Sequence, residues 1–309
     1  MTDKSAEPHR DHRVVLVKCE NYENVFEALT SGIELLGGLT QFCAPGDSLL
    51  LKPNLLIGDH PDKGVTTHPD FFKAVIQLFQ TGDAKLVYGD SPAFGSPKMA
   101  GNPSGLNEAA RSMGVELADF INGQVVSNPN GGLIKQFNLA RGLSEVDGII
   151  NLPKFKTHGL TRLTGAVKNL FGCLPGVQKA GFHARLGDEF NFSEMLVDLA
   201  ELISPRLHIM DGVVGMEGNG PRNGQLRKVG VIMMSANPYA LDHCVARIMN
   251  LDPTLVPTLK VAQQRSYYHS EAIDILGDSL NAFVLKDYQV NRSQSSTTGP
   301  QSLFMKKFK

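Results

Sequence analysis

Five apolar runs in this chain each break off into a short polar segment rich in Pro, Gly or Asn. Ser48–Lys52 runs into Lys52-Pro53-Asn54, Lys85–Tyr88 into Gly89-Asp90-Ser91-Pro92, and Val146–Leu152 into Pro153-Lys154-Phe155-Lys156. Arg206–Met210 runs into Asp211-Gly212, and Lys228–Ser235 into Ala236-Asn237-Pro238. Runs of this length bounded by turn residues read as strands, and Val14–Val17 reads as a further strand ahead of them. Between them lie segments of helical periodicity, at about Asn24–Leu36, from His68 or Asp70 to Phe79, and at Leu106–Met113, Thr161–Phe171, Phe190–Ile203 and Tyr239–Met249. The alternation predicts an α/β fold with a largely parallel or mixed central sheet, helices on both faces and right-handed crossovers. In such a sheet the strand carboxyl ends share one edge, where ligand clefts form, so all five polar ends are expected to meet there.

The remaining text bounds the function classes. A chain of 309 residues, 42% of them hydrophobic, can bury a substantial core, and 13–290 reads as one α/β domain or two closely packed lobes. A polar extension at 1–12 precedes it, and a serine-rich stretch at 291–309 reads as a mobile tail. The polar stretch Gly123–Gly132 reads as an excursion from the main rhythm. Thirty basic and 31 acidic side chains leave a formal charge of -1 without a basic stripe, which argues against nucleic acid. No run approaches the roughly 20 apolar residues of a membrane span, so a cytoplasmic protein without membrane contacts is expected, with a homo-oligomer as an open option. Cys19, Cys43, Cys173 and Cys244 are spaced too widely for ordinary ferredoxin-type iron–sulfur ligands and read as separate reduced thiols.

Two stretches carry most of the candidate chemistry. In Lys154-Phe155-Lys156-Thr157-His158, an extended backbone sends Lys154, Lys156 and His158 to one side and Phe155 and Thr157 to the other. The clustered cations fit a carboxylate or phosphate, or one lysine with a lowered pKa acts as a base; a solvated basic turn is the competing reading. Lys168, two turns beyond Thr161 on the expected helix, reaches back toward the same anion, or else serves the helix end with Asn169 and Gly172. From Asp211 to Gly224 the chain holds five glycines, which suit a loop closing over a substrate, with Gly218, Asn219 and Gly220 at its tip; a structural hairpin competes. Asp211 and Glu217 are the candidate Mg²⁺ ligands. Asp90 and Asp242 are possible supporting carboxylates, Lys52 and the neutral Asn54 and Asn237 possible ligand contacts, and His183 and His208 read as structural or exposed. No GxSxG elbow is present.

With Lys52-Pro53-Asn54, Gly89-Asp90-Ser91, LPKFKTH, the stretch Gly165–Gly172, and Asp211-Gly212 with Gly218-Asn219-Gly220-Pro221, the chain resembles the DUF362 family over roughly Val14–Leu251. The resemblance implies a compact α/β protein and places Lys52, Lys154, Lys156, His158, Lys168, Asn169, Asp211 and Asp242 in a shared site. Some relatives carry a ferredoxin-like cysteine-rich region that this chain lacks. Taken together, the residues predict an enzyme that binds and transforms a small anionic metabolite. Lys154 and Lys168 hold its carboxylate or phosphate oxygens, Lys156 or His158 transfers the proton, and Asp211 or Glu217 orients the base or holds Mg²⁺. A non-catalytic metabolite-binding module and a redox or iron–sulfur-associated protein are the alternatives.

Overall fold

Strands form where β-branched and aliphatic runs were expected, and several helices begin at capped prolines. The computed structural model describes residues 11–176, 178–186 and 188–293, so the polar extension at 1–12 and the tail at 291–309 lie almost wholly outside the described residues. The chain first lays down β1 (Arg13–Lys18), α1 (Val25–Leu35), β2 (Ser48–Lys52), α2 (Pro69–Gln80) and β3 (Lys85–Tyr88). Two short helices, α3 (Pro97–Gly101) and α4 (Leu106–Ser112), lead to the two-residue strand β4 (Glu116–Leu117). The polar stretch after it opens a separate antiparallel hairpin, β5 (Gly123–Ser127) with β6 (Gln136–Ala140). Then come β7 (Gly148–Asn151), β8 (Lys154–His158), β9 (Arg162–Leu163), α5 (Gly165–Asn169), α6 (Gln178–Arg185) and α7 (Glu189–Ile203). A long hairpin, β10 (Leu207–Glu217) with β11 (Gln225–Ser235), is followed by α8 (Pro238–Ile248), α9 (Pro257–Gln264) and β12 (Asp274–Gly277). At α2 and α8 a proline opens the helix, and the preceding His68 or Asn237 side chain accepts from the first free backbone N–H groups.

The main sheet has the order β12-β1-β11-β10-β7-β2-β3-β4 and is mostly parallel, with β11 antiparallel to both of its neighbours. Side-chain alternation along each strand feeds two cores. On one face Leu49, Leu51, Ile150 and Ile209 pack with α1, α2 and α4; on the other, Met210 and Met233 pack with α5, α7, α8 and α9. Among the described residues no helix is long and apolar enough to cross a membrane.

The carboxyl edge is shaped by one proline. Pro153 has no N–H to give a ladder, so β7 and β8 are two segments of one path along β10. Asn151 pairs with His208 and, beyond the break, Lys154 with Asp211, while the Pro153 carbonyl accepts from the Asp211 N–H. β10 thus begins where β2 and β7 end, and with β8 and β11 it rises past them as a wall.

Three expectations change here. Asp211 lies inside β10 rather than at a strand end, because the strand continues for six residues past it. Since β11 runs antiparallel, its carboxyl end leaves the shared edge, and Asn237 caps α8. Thr161–Phe171 is not one helix: Arg162 and Leu163 pair with β8, and α5 starts only at Gly165, whose positive φ of 60° resets the chain. A Cβ at Gly165 would overlap the Asp242 carboxylate, so glycine is required there on both counts.

Candidate functional site

At the carboxyl edge, Lys52, Asn151 and His208 stand in register on the adjacent strands β2, β7 and β10. All three side chains are buried, so each polar atom needs a partner. Lys52 Nζ meets Asp90 Oδ1 at 2.8 Å and the Pro53 carbonyl at 3.0 Å, and Asp90 Oδ2 accepts from the Leu55 N–H.

A directed chain of amides links this row to Lys156. His208 Nδ1 takes a hydrogen bond from Asn151 Nδ2 (2.9 Å), Asn151 Oδ1 from Asn169 Nδ2 (2.7 Å), Asn169 Oδ1 from Asn54 Nδ2 (2.7 Å), and Asn54 Oδ1 from Lys156 Nζ (2.8 Å). Every amide is thereby oriented, and Lys156 always faces a carbonyl oxygen. Its second acceptor is the Val65 carbonyl at 2.5 Å. Among the described residues no carboxylate touches it. Burial, with the ammonium groups of Lys168 and Lys154 nearby, holds this amine well below the ordinary lysine value. Two acceptors use the two N–H bonds of a neutral amine and leave its lone pair free.

Two residues back along β8, Lys154 is also buried but compensated. Its Nζ lies 2.7 Å from Asp211 Oδ2 and 2.9 Å from the Tyr22 hydroxyl, which donates in turn to Asp211 Oδ1 at 3.2 Å. The His68 N–H completes the set on Asp211 Oδ2 at 3.0 Å, and the His68 ring stacks on Tyr22 with centroids 3.6 Å apart. Burial pulls the Lys154 pKa down, and Asp211 opposes it.

His158, on the same side of β8, is partly exposed. Its Nδ1 accepts the Leu160 and Thr161 N–H groups at 3.1 and 3.4 Å, so in the neutral ring the proton sits on Nε2. Burial, then Lys168, depresses its pKa far below the usual imidazole value. Lys168 itself has no hydrogen-bond acceptor among the described residues; its ammonium stands 5.6 Å from the centre of the Phe171 ring. Burial, followed by the charges of Lys179 and Lys52, lowers it to about 8.

Other expected site residues have structural duties. Asp242 accepts the Ala166 and Val167 N–H groups at 2.6 and 3.1 Å and so caps α5 from α8. Asp211 and Glu217 are separated by roughly 20 Å of strand. Glu217 accepts from the Gln289 N–H and faces Arg227, so the two carboxylates do not converge. Among the described residues no three His, Cys, Asp or Glu side chains group as a metal site. The Asp211–Gly224 stretch is the end and turn of a hairpin. A Cβ at Gly215 would lie 2.9 Å from the Phe155 carbonyl, and one at Gly220 would overlap the Thr157 carbonyl, so these glycines let the hairpin close onto β8. The N–H groups of Gly218 and Gly220 are taken by Gln289 and Gly218 carbonyls, and the Asn219 carbonyl accepts from Asn223. Cys19 and Cys43 pack in one core, Cys173 and Cys244 in the other.

The sequence reading did not single out Tyr22, His68, Asn151 or Lys179 as neighbours of this network, and took His208 as structural or exposed; it is buried and bonded to Asn151. For Asn151 and His208, a polar residue closing or opening an apolar strand was the available signal. For Tyr22 no local pattern exists.

The family model described as a domain of unknown function, DUF362, matches residues 49–247. The chain belongs to the DUF362 family. That match contains Lys52, Lys156, Lys168 and Asp242, whereas Tyr22 lies ahead of it. A thylakoid-associated protein of Synechocystis sp. is 39% identical over 255 residues, which cover 82% of this DUF362 chain and 78% of that protein. Among solved structures, the lactate racemase apoprotein of Thermoanaerobacterium thermosaccharolyticum is similar at a TM-score of 0.45 and 10% identity, over 72% of this chain and 54% of that one.

Proposed function

We propose that this DUF362 protein is an enzyme that binds a small anionic metabolite beside Lys168 and moves a proton with Lys156. The observation that carries the reading is the pair of contacts at Lys156 Nζ: two uncharged carbonyl acceptors, no carboxylate, and two further lysines close by. Of the two expected bases, His158 is tied at Nδ1 and offers an Nε2–H, which makes it a donor to a developing oxyanion. Lys156 keeps the lone pair and is the base. Lys168, without an acceptor of its own among the described residues, is the anion anchor; it and His158 are both partly exposed, so a ligand can reach them from solvent. The cytoplasm is its proposed compartment; because a relative is thylakoid-associated, cell fractionation that finds it with membranes would overturn that placement.

The test titrates the protein calorimetrically with a panel of small carboxylates and phosphate esters, then follows deuterium entry into carbon-bound positions in D₂O by NMR. Lys168→Met removes a charge-assisted contact and weakens binding by about 10–100-fold, corresponding to roughly 1.5–3 kcal/mol. Affinity falls as pH rises through about 8, since the anchor is then losing its proton. Lys156→Met abolishes exchange while binding persists. Binding unchanged in Lys168→Met removes the anchor, and exchange unchanged in Lys156→Met removes the base. Saturable binding without exchange or turnover returns the protein to a binding module.

A further inference from the structure

Ser91 and Lys179 play no part in the chemistry above. Ser91 is buried just past the end of β3, and Lys179 stands half-buried in the first turn of α6. Lys179 Nζ lies 2.7 Å from Ser91 Oγ, 3.1 Å from the Ser91 carbonyl and 2.9 Å from the Leu174 carbonyl. Carbonyl oxygens only accept, so these two take two N–H bonds. The third position faces a hydroxyl, the one partner of the three that also donates. As an ammonium Lys179 donates to all three; on losing one proton it keeps both carbonyl contacts and its lone pair takes the Ser91 O–H, and among the described residues Ser91 Oγ has no other hydrogen-bond partner.

The surroundings bring that deprotonation close to neutral pH. Burial, opposed by Asp90 and reinforced by Lys52, brings Lys179 to about 8, and Cys173 is the other titratable neighbour acting on it. Lys168 and Lys179 also repel one another, which places the unmatched Lys168 ammonium beside the pair.

We propose that Ser91 is a nucleophile activated by Lys179, forming a serine–lysine dyad for acyl transfer from a small ester or thioester whose anionic group is held by Lys168. Ser91 Oγ bonds to the acyl carbon as its proton passes to Lys179 Nζ. The bond from acyl carbon to leaving group then breaks, and the departing alcohol or thiol takes that proton from Lys179. Water attacks the acyl-Ser91 ester, again giving a proton to Lys179; that proton returns to Ser91 Oγ as the carboxylic acid leaves. This serine sits at a strand end in Gly89-Asp90-Ser91-Pro92 and not in a G-x-S-x-G elbow.

The dyad does not depend on the role of Lys156, and an uncharged probe separates it from anion binding as well. The whole protein is treated with phenylmethylsulfonyl fluoride and mapped by peptide mass spectrometry. The expected result is sulfonylation of Ser91 at a rate that rises with pH and levels off above about 8, as Lys179 loses its proton. Ser91→Ala abolishes the label, and Lys179→Gln slows it by roughly a hundredfold. Absence of Ser91 labelling in the wild type overturns the proposal, as does a rate indifferent to pH. Both of those readouts use the unaltered protein and hold even where a variant fails to fold. A labelling rate unchanged in a folded Lys179→Gln protein overturns it equally.

Discussion

Gly172 is the point at which the segment after α5 presses on the buried Lys52–Asp90 pair, and Gly172→Ala tests how tightly that pair is held. A Cβ there would overlap Asp90 Oδ1 and lie 2.8 Å from Asp90 Cγ and 3.1 Å from Lys52 Nζ. Two responses are open. The Asp90 carboxylate can retreat, which breaks its 2.8 Å contacts with Lys52 Nζ and the Leu55 N–H. Alternatively the backbone at 172 moves, and the 2.9 Å hydrogen bond from Ser91 N to the Gly172 carbonyl is lost. Separating a buried ion pair costs about 3–5 kcal/mol, because both charges stay desolvated. The alanine recovers about 0.4–1 kcal/mol by restricting the unfolded chain. The net loss is about 2–4.6 kcal/mol. With an unfolding entropy of roughly 0.6 kcal/mol/K for a chain of this length, the melting temperature falls by roughly 3–8 °C. Calorimetry of Gly172→Ala beside Gly159→Ala, where a Cβ meets open space, supplies the comparison. Equal melting of the two variants would refute the claim that close approach at 172 holds the ion pair in place.

Two further outcomes follow from the same buried groups. Asp211→Asn strands the Lys154 ammonium and should destabilise by about 3–5 kcal/mol in urea titrations, whereas Lys154→Met with Asp211→Leu removes both charges and should recover most of that loss; a double variant no more stable than the single one contradicts the pairing. Burial holds the Asp242 carboxyl up at about 7 against an ordinary value of 3.8, so the folded chain binds the extra proton between those limits. Its contribution to stability therefore falls as pH rises from about 4 to about 7 and is flat above, by on the order of a few kcal/mol, and Asp242→Asn should flatten that slope in pH-dependent denaturation. Parallel wild-type and variant slopes would remove Asp242 as the cause.

The strand–helix rhythm was legible because it depends on local text. Apolar runs, turn residues and proline-led caps act within a few positions, so β2, β3, α2, α8 and the alternation of Lys154, Lys156 and His158 along β8 all follow from neighbouring residues. The sharing of one edge by Lys52, Asp90 and Asn151 follows from the parallel order of their strands. Periodicity misled where a single backbone angle intervened, as at Gly165, and where β11 turned out to run antiparallel.

The identities of the charged groups came from the sequence by itself; their protonation and partners were settled only by the tertiary structure. Lys154 and Lys156 are two positions apart with the same intrinsic acidity. One finds Asp211, 57 residues away; the other finds Asn54, 102 residues away, and no carboxylate among the described residues. Lys179 finds Ser91 across 88 residues. An amine's charge depends on the water it loses and the charges within a few ångströms, and both are set by strand register and close packing between segments distant in the chain.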